Sequence, residues 1–430
     1  MMCPKFAHSV SLRATLIALL LATVVASHRA HSQMPTEVSD RVSDKSGLTL
    51  RLDTRIRYVY IDERDKPKAA EVVSARAVVG ADLALSPQLK VAMEIIHSNF
   101  VPPKRFTDDP AAFESPYPLL PDPRYTGMNE AHVTWSPTPD WNIRLGRQSL
   151  TLGNERHVSD DNFRQIPQLF DGISVRGSPM ERAQLTLGQL NRLRTRLGTT
   201  ESMQLTLMEL AFNPLPDMSV AGYAVRHRPQ PQAFDIFRFG VAEQSNWVVG
   251  AVVDGSHPLG VVTSIPAIGE ARGFYTFELA NQRTAANEAV LRARYLRAGV
   301  GVGWRGWITR VDHEIKGSNA GRYGFQTPLT NQYAFNGNTL QFFDTPVAGL
   351  RDTWMTARWE QGPWSALGEY HWFRGDSDGR RFGRELDLNV TYAVNSRSYV
   401  RAQWARYMAA PSGFGLDTDK VWLTFGYQIK

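Results

Sequence analysis

The feature that most constrains the fold of this sequence is the strict alternation of apolar and polar residues in many segments of about ten residues. The clearest one, LTLRLDTRIRYVYI at residues 48–61, places Leu50 and Ile56 on one face and Arg51 and Arg55 on the other. Alternation with a period of two predicts a β-strand with one apolar and one charged face. Repetition of such segments between turn-rich stretches is typical of a transmembrane β-barrel.

Later segments repeat this pattern and predict which residues face the lumen. In one segment, Leu291, Ala293 and Tyr295 alternate with Arg292 and Arg294. In a barrel the apolar face meets lipid and the polar face lines the lumen. We therefore predict that the two arginines point into the lumen.

The connections between segments are alternately short and long, as in an outer-membrane barrel with short periplasmic turns and long outer loops. Counting them predicts all-β architecture: an antiparallel barrel of about 18 strands with an aqueous lumen. Residues 234–244 can be read either as a strand or as part of an outer loop. Short connections are predicted at 86–88, 136–140, 177–182, 213–217, 303–306, 361–363 and 395–398. Long connections are predicted at 99–126, 151–169, 228–245 and 312–349.

The N-terminal segment has the pattern of a secretory signal peptide. Lys5 and Arg13 precede an apolar run at residues 14–26 that is short for a membrane span of about 20 residues. Cleavage is predicted after Ala26 or Ser32, so residues 1–32 are the signal peptide. Residues 33–46 then form a flexible segment and residues 47–430 the barrel. Export without an apolar helix indicates the outer membrane of a Gram-negative bacterium.

The composition argues against several kinds of function. Cys3 is the single cysteine and lies in the leader, so disulfides, thiolate metal sites and cysteine nucleophiles are not expected. The sequence contains no GxSxG or HExxH motif. The 48 basic residues are interleaved with 42 acidic ones, which does not favour nucleic acid as a partner. We predict no catalytic site, metal or cofactor, and an outer-membrane hydrolase is the less favoured alternative.

Three blocks of sequence resemble one family. They are GRQSLTLGNERHV with FDGISV at 146–175, YGFQTPLTNQYAFNGNTLQFFDTPVAGLRD at 323–352, and RELD at 384–387. Together they are similar to the alginate-export family of outer-membrane barrels. Asn338 stands where a tryptophan is usual in the long loop of that family. The motif positions of the first block are Arg147, Gln148, Gly153, Arg156, Phe170 and Asp171.

The resemblance implies an 18-stranded barrel whose arginine-rich lumen passes an anionic polysaccharide such as alginate. We accordingly predict a passive, anion-selective channel. A general or small-organic-anion porin is the alternative. A polyanion needs fixed positive charge along its path, and interspersed acidic groups keep binding weak enough for release. The predicted pore-lining residues are Arg51, Arg55, Arg57, Arg76, Glu130, Arg144, Arg147, Asp171, Arg292, Arg294, Asp352, Arg358, Glu369 and Arg401.

Some alternatives remain open at this stage. Arginine–carboxylate pairs can also serve only as filler across a barrel wall, and Arg147 can simply pair with Asp171. The segment 99–126 carries seven prolines and can be either a constriction inside the lumen or an outer cap. The expected partners are outer-membrane lipid, an anionic polysaccharide or small organic anions, and periplasmic export machinery. A monomer is expected.

Overall fold

A computed structural model describes residues 47–109, 112, 114–229, 245–261, 270–286, 289–411 and 413–429 of the chain. The predicted signal peptide and the segment 33–46 therefore lie outside the described residues. The strands are β1 (Leu48–Glu63), β2 (Ala70–Ser86), β3 (Leu89–Phe100), β4 (Tyr125–Thr138), β5 (Trp141–Gln148), β6 (Leu169–Gly177), β7 (Ala183–Arg194), β8 (Thr200–Leu215), β9 (Met218–Pro229), β10 (Asn246–Val261), β11 (Glu270–Ala286), β12 (Ala289–Trp304), β13 (Trp307–Lys316), β14 (Leu350–Gln361), β15 (Trp364–Arg374), β16 (Arg381–Ala393), β17 (Ser398–Ala409) and β18 (Thr418–Ile429).

The 18 strands form one closed antiparallel barrel. Each strand pairs with its neighbours in sequence, and β1 closes the barrel by pairing with both β2 and β18. Closure leaves no free sheet edge, which a structure embedded in lipid requires. The predicted fold class and strand number are confirmed. A single turn of 3₁₀-helix spans Gln332–Ala334, and no helix in the described part of the chain is long and apolar enough to cross a bilayer.

The alternation of residues sorts the side chains of β1 and β2 as the sequence predicts. Leu50 and Val79 point outward and are 61% and 58% exposed. Arg55, Arg57 and Arg76 point inward and are buried. An outward apolar band with a polar interior is the arrangement that lipid outside and water inside favour.

The connections named from the sequence follow the predicted parity, with one loop shorter than expected, whereas eight residues separate β10 from β11 on the side of the short turns and two separate β11 from β12 on the other side. The segments between β2 and β3 and between β8 and β9 are tight, whereas 101–124, 149–168 and 317–349 are long. The last of these begins after Lys316, because β13 continues through the residues after 312 that were assigned to the loop. The ambiguous stretch 234–244 lies outside the described residues.

The upper part of the barrel interior is packed with side chains. Tyr295 and Leu205 from the wall are buried together with Tyr323, Phe325 and Leu329 from the segment 317–349. The wall therefore presents apolar residues inward at the height where this segment fills the lumen. On β12 the polar side chains at this height lie outside, which inverts the pattern seen in β1.

Candidate permeation pathway

Two long loops turn into the lumen and reduce it to separate spaces. We call residues 149–168, between β5 and β6, the first lumen loop, and residues 317–349, between β13 and β14, the second lumen loop. Between them they contact the inner wall on both sides of the barrel, at β1 and β18 and at β13. The open path through the barrel is thus set by how these loops are anchored.

Arg55 of β1 holds the first lumen loop against the wall. Its Nη1 donates to the carbonyl oxygens of Asn162, Phe163 and Arg164, at 3.0, 2.9 and 3.1 Å. Backbone carbonyls carry no net charge, so these bonds engage the N–H groups of Nη1 but leave the positive charge of the guanidinium in place. The side chain is buried, where such a charge has a strong local effect.

Arg57, the next inward residue on β1, is also held without a carboxylate. Its Nε donates to Thr424 Oγ1 at 3.2 Å, and its guanidinium lies 4.4 Å from the centre of the Phe163 ring. A cation over an aromatic face is a favourable arrangement, but it does not neutralise the charge. Arg55 and Arg57 together place two positive charges at the first lumen loop, and neither forms a salt bridge with a described residue.

Arg76 of β2 lies beside this pair and is partly neutralised. Its Nη2 bonds Asp53 Oδ1 at 2.5 Å and its Nη1 bonds Asn162 Oδ1 at 2.8 Å. Gln428 donates to the other oxygen of Asp53 at 2.7 Å. The bonds join β1, β2 and β18 to the tip of the first lumen loop.

On the far side of the lumen, Arg156 joins both loops to the wall. Its Nη2 donates to Glu314 of β13 at 2.5 Å and to Asn336 Oδ1 of the second lumen loop at 2.9 Å. Asn336 Nδ2 donates to Glu314 at 2.7 Å and to Asp352 at 3.1 Å. Arg156 and Glu314 are each 1% exposed, so this group is a buried latch between the two loops.

The second lumen loop is fixed at its tip by β16 and β18. Thr339 donates its backbone N–H and its hydroxyl to Glu385, at 2.7 and 2.6 Å. Lys420 Nζ donates to the carbonyl oxygen of the same threonine at 2.6 Å. Gln282 of β11 accepts from Tyr323 at 2.6 Å, nearer the start of the loop.

The proline-rich segment 101–124 also packs inside the barrel. Phe106 and Leu120 are buried against Val59 and Ile61, which point inward at the outer end of β1. Of the two alternatives left open by the sequence, the position inside the lumen fits these contacts. This segment narrows the outer mouth.

A chamber of about 370 Å³ lies on the periplasmic side of the first lumen loop. Two arginines and four carboxylates line it, so its charge is mixed, and its net charge is negative when all are ionised. The ionisable residues that line it are Arg51, Asp53, Arg76, Glu94, Glu130 and Asp160. Arg51 binds both Asp82 and Glu94 at 2.9 Å.

A second chamber of about 300 Å³ lies on the outer side of the same loop. Two basic residues, Arg164 and Lys420, and two acidic residues, Glu63 and Asp344, line it, so its positive and negative charges are equal in number. Asp53 in the inner chamber and Ile61 in the outer one are eight residues apart on β1, about 26 Å at strand rise. Arg55 and Arg57 lie between them, at the partition.

The structure brings ten of the fourteen predicted residues to inward positions. Those at the partition or the inner chamber are Arg51, Arg55, Arg57, Arg76, Glu130 and, by alternation, Arg144. Those elsewhere on the inner wall are Asp352, Arg358, Glu369 and Arg401. Arg358 pairs with Glu360, and Arg401 donates to Thr391 at 3.0 Å. Contact of any of them with a solute stays a prediction.

Arg292 and Arg294 do not lie where the sequence pattern placed them. Ala293 and Tyr295 are 3% and 1% exposed and point inward, so the two arginines point outward and are exposed. The reason is that the second lumen loop fills the lumen here, and Tyr295 packs 5.3 Å from the ring of Phe325. Alternation fixes which residues share a face, but not which face is inside.

Arg147 and Asp171 also fall on outward positions. They follow the register of Leu145 and Ile173, which are 60% and 40% exposed. The two form a bidentate pair at 2.7 and 2.9 Å, the alternative role already considered for them. The alternation of β5 extends to Arg147 and predicts an outward side chain. The prediction of a lumen position, which relied on the family motif, was wrong.

Sequence reasoning did not select Arg156, Arg164 or Glu314 as pathway residues. Two of these are loop residues, for which no periodicity predicts a direction. Glu314 is an inward residue of β13 that was assigned to the long loop. The signal that could have found it is the alternation of the segment 307–316, with acidic residues at 312 and 314.

Asp160 gives the inner chamber a pH-dependent charge. Burial raises the pKa of its carboxyl, and Glu155 and Glu130 act in the same direction, although Ser149 donates a hydrogen bond at 2.7 Å. It therefore takes up a proton at a higher pH than an ordinary aspartate.

We expect the anion preference of the wild type to rise as pH falls from 7 to 5. Asp160→Asn should show the higher preference already at pH 7 and a smaller change, measured as reversal potential in a planar bilayer. An identical pH response of the two proteins would contradict this assignment.

No family model and no curated protein matches the chain. Solved structures do match it over nearly its whole length. OpdL of Pseudomonas aeruginosa has a TM-score of 0.64 and 15% identity, covering 89% of this chain and 98% of that chain. OccAB1 of Acinetobacter baumannii has a TM-score of 0.65 and 11% identity, covering 92% and 100%. OccK9 (OpdG) of Pseudomonas aeruginosa has a TM-score of 0.64 and 14% identity, covering 89% and 98%.

These similarities concern the fold: the closed 18-stranded barrel of this chain is of the same kind as the barrels of these proteins. They also overturn the expected membership of the alginate-export family, because the solved barrels named above are Opd and Occ proteins and no family model matches the chain. The outer-membrane location and the non-enzymatic role stay predictions.

Proposed function

We propose that the protein is a passive outer-membrane channel for small organic anions. The observation that carries this proposal is the pair Arg55 and Arg57 at the partition between the two chambers. Both are buried, and among the described residues neither pairs with a carboxylate. Positive charge at a constriction lowers the barrier for an anion that has to shed part of its hydration shell.

The size of the open spaces supports small solutes over a polymer. Chambers of about 370 and 300 Å³ are at the lower end of the range that holds small molecules. A polysaccharide would need both lumen loops to leave the lumen together. That movement would break the Arg156–Glu314–Asn336 latch and the Glu385–Thr339 bonds, all of which are buried.

The mixed charge of the chambers suits transport rather than tight binding. Asp53, Glu94 and Glu130 surround the arginines of the inner chamber, so an anion that passes the partition enters a region that does not retain it. Conduction requires sites that are favourable enough to enter and weak enough to leave. Direction is then set by the concentration gradient.

The proposal is tested with purified protein in two measurements. In a planar bilayer under a KCl gradient, we expect a reversal potential closer to the equilibrium potential of chloride than to that of potassium. In proteoliposomes, we expect benzoate and gluconate to enter faster than glucose, and a uronate polymer neither to enter nor to block the current. Cation preference, or faster entry of glucose, would refute an anion channel. Block by the polymer would point to a binding path for longer chains.

A further inference from the structure

A row of outward arginines crosses β9 to β12 near the outer ends of these strands. Arg226 pairs in register with Trp247, Trp247 with Arg283, and Arg283 with Arg292. Adjacent strands lie about 4.8 Å apart, so the row spans about 14 Å. Arg294, two residues further along β12, extends the row toward the membrane. We call these four arginines and Trp247 the outer arginine row.

The charges in this row have no partner in the described part of the barrel. No salt bridge there involves Arg226, Arg283, Arg292 or Arg294, and the side chains of the last three are exposed. Arg226 lies over the ring of Trp247 at 5.9 Å. Like charges directly opposite on paired strands destabilise a sheet. Arg283 and Arg292 are such a pair, so a negative group supplied from outside the protein would stabilise this face.

The position of the row indicates where that group comes from. Toward the periplasm, the outward face of β10 and β11 becomes apolar. Its residues Val249, Leu279 and Phe277 are 45–46% exposed. Trp247 is 46% exposed, as expected of an aromatic at the membrane interface. The arginines thus lie at the upper boundary of the lipid-facing band. Since they point away from the lumen, a permeating anion does not reach them.

We infer that the outer arginine row binds the phosphate groups of a glycolipid in the outer leaflet. Guanidinium groups bind phosphate oxygens in a bidentate, charge-assisted way. Basic residues beside an anionic membrane surface are attracted to its head groups. Acyl chains of the same lipid would cover Val249, Leu279 and Phe277 below the row. This inference rests on the outer-membrane location in the proposed function and is independent of the solute that the channel passes.

The test measures lipid binding by native mass spectrometry of the detergent-solubilised protein. The probes are bisphosphorylated lipid A, fully dephosphorylated lipid A, phosphatidylglycerol and inorganic phosphate. We expect the wild type to retain bisphosphorylated lipid A in preference to the other three. The variant Arg283→Gln with Arg292→Gln should weaken this binding by about tenfold or more, because two surface charges are lost.

The matched control is Arg64→Gln with Arg406→Gln, which removes the same charge on the β1–β18 side. These arginines have carboxylates near them, Asp417 at 2.5 Å and Asp419 at 3.8 Å. The control should bind lipid A as the wild type does. Arg292→Glu offers Arg283 a carboxylate across the strand pair, so it should fold at least as well and still lose lipid A.

The inference would be overturned by equal binding of dephosphorylated lipid A, by equal loss of binding in the row variant and the control, or by preference for phosphatidylglycerol. Binding of inorganic phosphate as tight as that of lipid A would show an anion site without lipid specificity and would overturn it as well. Reversal potentials of the row variant keep the two proposals apart, since they should equal the wild-type values even where lipid binding is lost.

Discussion

Replacing both Arg55 and Arg57 with glutamine is expected to abolish most of the anion preference of the channel. At about 6 Å in an effective dielectric constant of about 80, one guanidinium stabilises a passing monovalent anion by about 0.7 kcal/mol. Two such charges stabilise the anion by about 1.4 kcal/mol and destabilise a cation by as much, which corresponds to about a hundredfold change in the anion-to-cation permeability ratio. The measurement is the reversal potential under a KCl gradient before and after substitution.

The control for this prediction is the Arg64→Gln, Arg406→Gln protein, which loses the same net charge away from the partition. It should keep the wild-type reversal potential. Arg55 also holds three carbonyl groups of the first lumen loop, so Arg57→Gln alone separates charge from loop position. We expect it to change the anion-to-cation permeability ratio by about half as much on a logarithmic scale, about tenfold. An unchanged permeability ratio in both variants would refute the role of these arginines in selectivity.

The fold of this protein was predictable because lipid imposes a simple rule on every strand. Alternation with a period of two, with apolar residues facing outward, fixes strand identity and, through the connections, the number of strands. In β1 and β2 the same rule also gave the inward arginines, since Arg55, Arg57 and Arg76 lie opposite exposed apolar residues. The inward arginines were therefore predictable in the part of the barrel where the lumen contains water and its wall is polar.

The rule fails at the height where loops fill the lumen. Tyr295 needs an apolar neighbour inside, and Phe325 of the second lumen loop provides it. Arg292 consequently faces the membrane boundary. No local pattern predicts that a loop will fold back, because its contacts join residues far apart in sequence: 158 positions separate Arg156 from Glu314. The latch and the two chambers arise from such contacts and could not be predicted from strand periodicity.

Replacing Arg156 with methionine is expected to have the second large effect, on both stability and conductance. The change leaves Glu314 buried without its cation and Asn336 without one of its partners. Breaking a buried ion pair by removing one member costs about 3–5 kcal/mol. Loss of Arg156 should also free the first lumen loop from β13 and weaken the hold on the second, which keeps the bond from Asn336 to Glu314. We therefore expect a lower midpoint of thermal unfolding in detergent, together with a larger and noisier single-channel current.

The control for this prediction is Arg310→Met, which removes an arginine bound only within the wall. Arg310 donates to Asp312 at 3.1 and 3.2 Å and to Thr276 at 3.0 Å, and all three residues lie on strands. It should lower stability without changing the current. Arg156→Lys keeps the charge but loses the planar fork that binds two acceptors, so its current should lie between those of the wild type and Arg156→Met. If Arg156→Met lowers stability and leaves the current unchanged, the latch holds the loops in place for stability alone, and the lumen loops do not limit the flow.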